Sequence, residues 1–246
     1  MIRRFASLSV LAVCATLHVP AVNADTAILS AAKDNTLYQN ATGQLSNGAG
    51  MHFFVGRTTT LLPADQRVRR GLIAFDVSSI PAGATITGVS LTLHMSRTNT
   101  GATNVQMRRV LADWGEGTSA AGRGEGAGAP ATTNDATWVH RFFNSASWST
   151  PGGDFSTTVS ATTSVAGIGN YTWSGAGLVA DVQAWVNGTS SNFGWILLGN
   201  EVSTGTAKRL DSSENSTVAF RPSLVVLYVP TAIEAHTWSA VKNLYR

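Results

Sequence analysis

The sequence predicts an all-β chain: a single jelly-roll-like β-sandwich with one short helix near 177–187. Three observations carry that expectation. First, the stretch Val68–Met95 holds two apolar runs, Leu72–Phe75 and Val89–Leu93. A polar connection with Ser78, Ser79, Pro81, Gly83 and Gly88 joins them as a shaped loop rather than a helix. Second, Val89, Leu91 and Leu93 alternate with Ser90, Thr92 and His94, the period-2 pattern of a strand with one wet face. Third, charged residues make up only 13% of the 246, against a typical ~25%. Gly, Ser, Thr and Asn take their place, as suits many short strands and turns.

Residues 1–24 read as a signal peptide. Arg3 and Arg4 form a basic start, Phe5 to Val19 a mostly apolar stretch, and Val22-Asn23-Ala24 a small-residue cleavage site. The stretch is too short for a membrane span, which needs ~20 apolar residues. Cleavage after Ala24 leaves 15 basic residues (17 less Arg3 and Arg4) against 14 acidic ones. No basic run is visible, so nucleic acid is not an expected partner. The only cysteine, Cys14, leaves with the leader, and thiol or disulfide chemistry leaves with it.

Within 25–230, one expected domain, strand-like runs recur. They are Ala27–Ser30, Thr36–Tyr38, His52–Val55, the pair in 68–95, Val105–Leu111 and Ala136–Phe142. Further strands are expected near 155–160, 169–174, 194–200, 206–211 and 223–229. Residues 117–133 carry five glycines and little side-chain volume, and read as an exposed loop. Leu178, Val179, Val182, Trp185 and Val186 fall at helical spacing and Asn187-Gly188 makes a stop, which predicts the short helix with Trp185 buried. Pro230 ends the last strand. The tail 231–246 could form a short amphipathic helix through Trp238, Val241, Leu244 and Tyr245. No internal repeat is visible.

The order of several motifs resembles the DNRLRE-domain proteins, secreted bacterial β-sandwich modules related to carbohydrate-binding module family 96 and to disaggregatase-related repeats. The stretches that carry the resemblance are Arg69–Asp76, Ile80–Ile86, Leu91–Leu93, Trp114–Ser119, Asp135–Trp138 and Gly152–Phe155. Asp181–Trp185, Asn192–Trp195, Ser212–Glu214 and Arg221–Leu224 complete it, so that it spans roughly residues 28–229. It implies a jelly-roll-like sandwich and, for some members, glycan binding. No binding residue carries over from it.

The candidate site residues come from the chemistry of the side chains. Trp114, Trp138 and Trp148 lie among small and loop residues, where an exposed ring could stack on the C–H face of a sugar. Trp138 also fits a core position, and Trp148, in Asn144–Pro151, is the best exposed platform. Glu116, Asp135 and Asp154 sit in turn-rich segments. If their loops meet, the carboxylates could hold Ca²⁺, which takes 6–8 oxygen ligands. The bland alternative is that each carboxylate caps a turn. Asp34 and Asn35 offer a second calcium position. His52 and His94 alternate with apolar neighbours and should face outward.

Enzyme readings pair Glu116 with Asp135 or Asp154 as acid and base, or use His140-Arg141 near Trp138 as a proton acceptor. No nucleophile elbow, zinc-protease motif or phosphate loop supports catalysis. The expectation is a secreted or cell-surface, non-catalytic module that binds an extracellular polysaccharide or cell-surface glycan. The alternatives are a structural or adhesive surface protein, or a polysaccharide-cleaving enzyme.

Overall fold

Leu72-Ile73-Ala74-Phe75 is apolar at every position, and both faces of it are buried. Ile73 and Phe75 point into one hydrophobic cluster, Leu72 and Ala74 into another. The strand therefore stands between two layers of packing, which is what an unbroken apolar run requires. The structure, a computed structural model, describes residues 24–59 and 61–231. The expected signal peptide and tail lie outside the described residues, except at Ala24 and Thr231.

Among the described residues the chain is mostly β with one α-helix. The first strands are β1 (Asp25–Tyr38), β2 (Leu45–Ser46), β3 (His52–Arg57), β4 (Val68–Phe75), β5 (Thr85–Thr98) and β6 (Thr103–Arg109). Short strands β7 (Ala129–Pro130), β8 (His140–Phe142) and β9 (Ala146–Ser147) follow, then β10 (Ala161–Val165) and β11 (Gly169–Ser174). Helix α1 (Ala176–Val186) precedes β12 (Trp195–Leu198), β13 (Lys208–Asp211) and β14 (Ser223–Val229).

Six strands close on themselves in the order β1-β14-β5-β13-β3-β4 and back to β1, a barrel-like ring of antiparallel pairs. From β4 the sheet continues through β12, β6 and β10, while β11 lies on the other edge of β5. The ring closes because β1 changes partner. Asp25–Ser30 pairs with β14, a bulge falls between Ala31 and Lys33, and Lys33–Tyr38 pairs with β4. A bulge re-aims a strand in this way. Two of the expected strands, 27–30 and 36–38, are thus one bent strand.

Alternation sorts the side chains. Leu91, Leu93 and Met95 of β5 face inward with Phe53 and Val55 of β3, Met107 of β6, Trp173 of β11 and Leu224 and Val226 of β14. Ser90, Thr92, His94 and Ser96 fall on the outer face. Helix α1 buries Leu178, Val182 and Trp185, and Trp185 packs 4.6 Å from the Trp195 ring. Gln183 ties the helix to β5 by accepting from the Ile86 N–H (2.8 Å) and donating to the Ala84 carbonyl (2.9 Å). Asn187 and Gly188 end it, with Gly188 at φ 67°.

Other expectations need correction. Only His140–Phe142 of the expected strand 136–142 is strand. Residues 155–160 form none beyond a single bridge from Phe155 to Val110, and the strand begins at Ala161. The segment 117–133 is not simply exposed, since it buries Ser119, Glu125 and Ala129. Among the described residues, no helix is long and apolar enough to cross a membrane.

Candidate functional site

The excursion between β6 and β10 decides what the tryptophans do. It folds over the outer face of β1, β4 and β12, where Leu37, Leu72, Ala74 and Ile196 present a second apolar surface. Trp114 and Trp148 fill that surface and are only 1% and 5% exposed. Their indole N–H groups donate to the carbonyls of Phe193 and Thr137, both at 2.9 Å. Trp138 is half-buried beside them, with the Arg70 guanidinium 4.8 Å over its ring. A sugar cannot stack on a ring already covered by protein. Trp114 and Trp148 instead belong to a second core, with Trp138 packed half-buried against it, because large aromatics bury wherever an apolar surface is offered.

The expected metal set also regroups. Asp135 is fully buried and caps the turn before it, with Oδ2 accepting from the Thr132 N–H (2.5 Å) and Thr132 Oγ1 (3.1 Å). Asp154 caps its own turn through the Ser149 N–H (2.8 Å) and the Thr150 N–H (3.0 Å). These are the turn-capping roles common for Asp. Glu116 goes elsewhere. Among the described residues it shares one cluster with Asp34 and Glu214, each offering a carboxylate oxygen within 4.8 Å of the others.

Asn35 does not join the cluster. Its side chain is consumed by Thr36, Ser46, Asn47 and the Glu116 carbonyl. Gly48 makes that approach possible, because a Cβ there would lie 1.7 Å from the Glu116 carbonyl oxygen.

The chemistry of the acidic cluster is set by crowding. Asp34 is 1% exposed. Burial, and then the neighbouring Glu214, push its carboxyl from 3.8 up to about 8, against two hydrogen bonds from Ser213. Burial likewise pushes the Glu116 carboxyl up to about 7, while the Asp34 N–H bond opposes it and Glu214 adds to it. Ser213 Oγ lies 2.8 Å from Asp34 and 2.9 Å from Glu214, yet a hydroxyl has one proton to donate. The cluster therefore needs a shared proton or a bound cation. Asp34, Glu116 and Glu214 are the residues that could hold a hard divalent ion.

A second feature lies on the outer face of β3, β5 and β13. A groove of about 310 Å³ is lined by Phe54, Arg97, Lys208, Arg209 and the loop residues Arg123, Gly124, Gly126 and Ala127 among others, with no carboxylate among its described lining residues. Arg97 and Arg209 stand directly opposite each other on β5 and β13. A like-charge pair in that position works against the sheet. Burial lowers Arg209, the carboxylates of Asp211 and Glu125 oppose that, and Arg97 adds to it.

Lys208 is 1% exposed, and among the described residues its ammonium has neutral acceptors alone: Thr98 Oγ1 (3.2 Å), Gly101 O (3.0 Å) and Ala166 O (3.4 Å). Burial depresses its ammonium.

No family model and no curated protein matches this chain.

The groove is not legible in the sequence because its cations are scattered over positions 97, 123 and 209 and meet only in the fold. The second core did have a signal. Leu72–Phe75 and Trp195–Leu198 are apolar throughout, which already asks for cover on both faces. Glu214 stood only in a family motif, and nothing local tied it to Asp34 or Glu116.

Proposed function

We propose that this chain is a secreted, non-catalytic module of jelly-roll-like β-sandwich type that binds an anionic extracellular or cell-surface polysaccharide. The observation that carries the reading is the groove's charge. Arg97, Arg123 and Arg209 gather in one recess with no carboxylate among its described lining residues. Guanidinium forks match carboxylate and sulfate groups, and an anion relieves the repulsion between facing arginines. Around Phe54 the recess lacks the paired acid and base that glycoside cleavage uses. The acidic cluster of Asp34, Glu116 and Glu214 would serve separately, holding a divalent cation such as Ca²⁺.

Calorimetric titration with polygalacturonate, neutral dextran and a single-stranded oligonucleotide tests the reading. Polygalacturonate should bind, more weakly as salt rises, and dextran should not. Replacing Arg97 and Arg209 by alanine should weaken binding at least about ten-fold, a loss of ~1.4 kcal/mol. Equal binding of dextran, or none of polygalacturonate, rejects the proposal. Preference for the oligonucleotide would assign the groove to phosphate polymers instead.

A further inference from the structure

Among the described residues every arginine but two gives its guanidinium to a hydrogen-bond acceptor. The two are Arg97, near the end of β5, and Arg123, in the loop 122–128, Gly-Arg-Gly-Glu-Gly-Ala-Gly. Both line the same groove, and they reach it from different walls, one from the sheet and one from the loop. Arg209, the third guanidinium of the lining, is already committed. Its Nε donates to Ser96 Oγ (3.0 Å), and the carboxylates of Asp211 and Glu125 act on its charge.

The loop brings donors of its own. The N–H of Glu125 bonds to the Gly122 carbonyl (3.1 Å), that of Gly126 to Gly124 (2.8 Å) and that of Gly128 to Glu125 (3.0 Å). These bonds wind the loop into consecutive turns, with φ 21° at Arg123, 72° at Gly124 and 61° at Glu125. Among the described residues they leave the N–H groups of Arg123, Gly124 and Ala127 without a partner. Successive amides in a turn of this kind form an anion-binding concavity. Gly124 also carries that backbone up to the sheet, since a Cβ there would lie 3.6 Å from Arg97 Nη1.

The loop is anchored from behind. Tyr38 donates to the Glu125 carbonyl (2.8 Å) and Arg69 Nε to that of Gly126 (3.3 Å). The Glu125 carboxylate accepts from the His52 N–H (2.9 Å) and Asn47 Nδ2 (3.0 Å), and so does not face the groove as a competing anion. Donors held in place this way lose little freedom when a ligand arrives.

The free donors therefore come from several directions: a guanidinium on the sheet, a guanidinium on the loop, and loop amides. A carboxylate is planar, and one guanidinium fork can satisfy both of its oxygens. A sulfate ester sets three terminal oxygens around a tetrahedral centre, and so accepts from several directions at once while carrying a single charge.

We propose that the groove is a sulfate-ester site. Arg97 and Arg123 clasp one sulfate of a sulfated polysaccharide from the two walls, and the free amides of Arg123, Gly124 and Ala127 take its remaining lone pairs. The assignment rests on the reading of the groove as a polyanion site and narrows it to sulfated chains over uronic ones.

Chondroitin sulfate and polygalacturonate carry the same charge per sugar, so comparing them at one ionic strength takes charge density out of the comparison. By calorimetry chondroitin sulfate should bind at least about ten-fold more tightly. In NMR spectra it should move the amides of Arg123, Gly124 and Ala127 more than polygalacturonate does. Arg97→Lys and Arg123→Lys keep the charge and lose the fork. Each should bring the ratio of the two affinities below about three-fold.

Equal affinities, or a ratio that both lysine variants leave intact, overturn the sulfate assignment and keep the polyanion groove. Tight chondroitin sulfate binding with the three amides unmoved removes the loop from the site and overturns it as well. Tighter binding of the single-stranded oligonucleotide than of chondroitin sulfate gives the site to phosphate. Binding of neither polysaccharide rejects the polyanion reading together with the assignment built on it.

Discussion

Asp34→Asn should remove the larger part of the stability that the wild type loses as pH rises, leaving the smaller share of Glu116. The folded-state carboxyl of Asp34 is raised from 3.8 to about 8. A raised acid means the folded state binds the proton more tightly than the unfolded chain. Its contribution is therefore complete below the unfolded value and disappears as pH climbs through the folded one. From about pH 5 to about pH 8 the loss is three units at ~1.36 kcal/mol each, or about 4 kcal/mol. In a chain of this size that is roughly 8–16 °C in Tm. Glu116, raised from 4.5 to about 7, pulls in the same direction over the lower part of that window.

The assay is thermal unfolding by circular dichroism in chelator at several pH values. Asparagine keeps an oxygen for the two Ser213 donors and offers an N–H₂ to Glu116 and Glu214, so the variant should keep only the shallower slope that Glu116 supplies below about pH 7. Added Ca²⁺ at the alkaline end should raise the wild-type Tm, since a ligand of the folded state stabilises it, and should leave Asp34→Asn unmoved. A wild-type change below about 2 °C, or the same slope in the variant, would refute the crowding argument. A pH slope without a Ca²⁺ response would keep the shared proton and reject the cation.

Leu91 is fully buried in the inner cluster, and Leu91→Ala should cost roughly 2–5 kcal/mol in urea unfolding. Trp148→Ala should cost about 3–5 kcal/mol and leave polygalacturonate affinity alone, since Trp148 belongs to the second core; a selective loss of affinity would restore it as a binding platform. Gly177→Ala should destabilise the packing of α1 on the chain before β10, because its Cβ would meet the Ser160 carbonyl oxygen at 2.2 Å; an unchanged Tm contradicts that close approach. Lys208→Met should stay within about 1 kcal/mol of wild-type stability, as replacing a buried charge by an apolar side chain often does, and should leave polyanion affinity alone, because the Lys208 ammonium is buried against Thr98, Gly101 and Ala166.

Much of the β architecture could be read from local pattern. Alternation along β5 named Leu91 and Leu93 as core and put His94 on the other face, because side-chain direction in a strand depends only on parity. Helical spacing located α1 and the burial of Trp185 for the same kind of reason. Sequence could not say that β1 bends at Ala31–Lys33 to serve two partners, since a bulge is set by the strands on either side.

Nor could it say where the tryptophans go. Trp114 and Trp148 read as exposed because their neighbours are small and polar. The surface that buries them is made by Leu37, Leu72 and Ile196, distant in the chain. The site residues divide the same way. Asp135 and Asp154 do what local turn chemistry dictates for an acidic residue among Thr, Ser and Gly. The pairing of Asp34 with Glu116 and Glu214, and the facing arginines 97 and 209, exist only where β1, β5, β13 and the loops come together. Charge interactions depend on distance in space and on burial, and both are properties of the assembled fold.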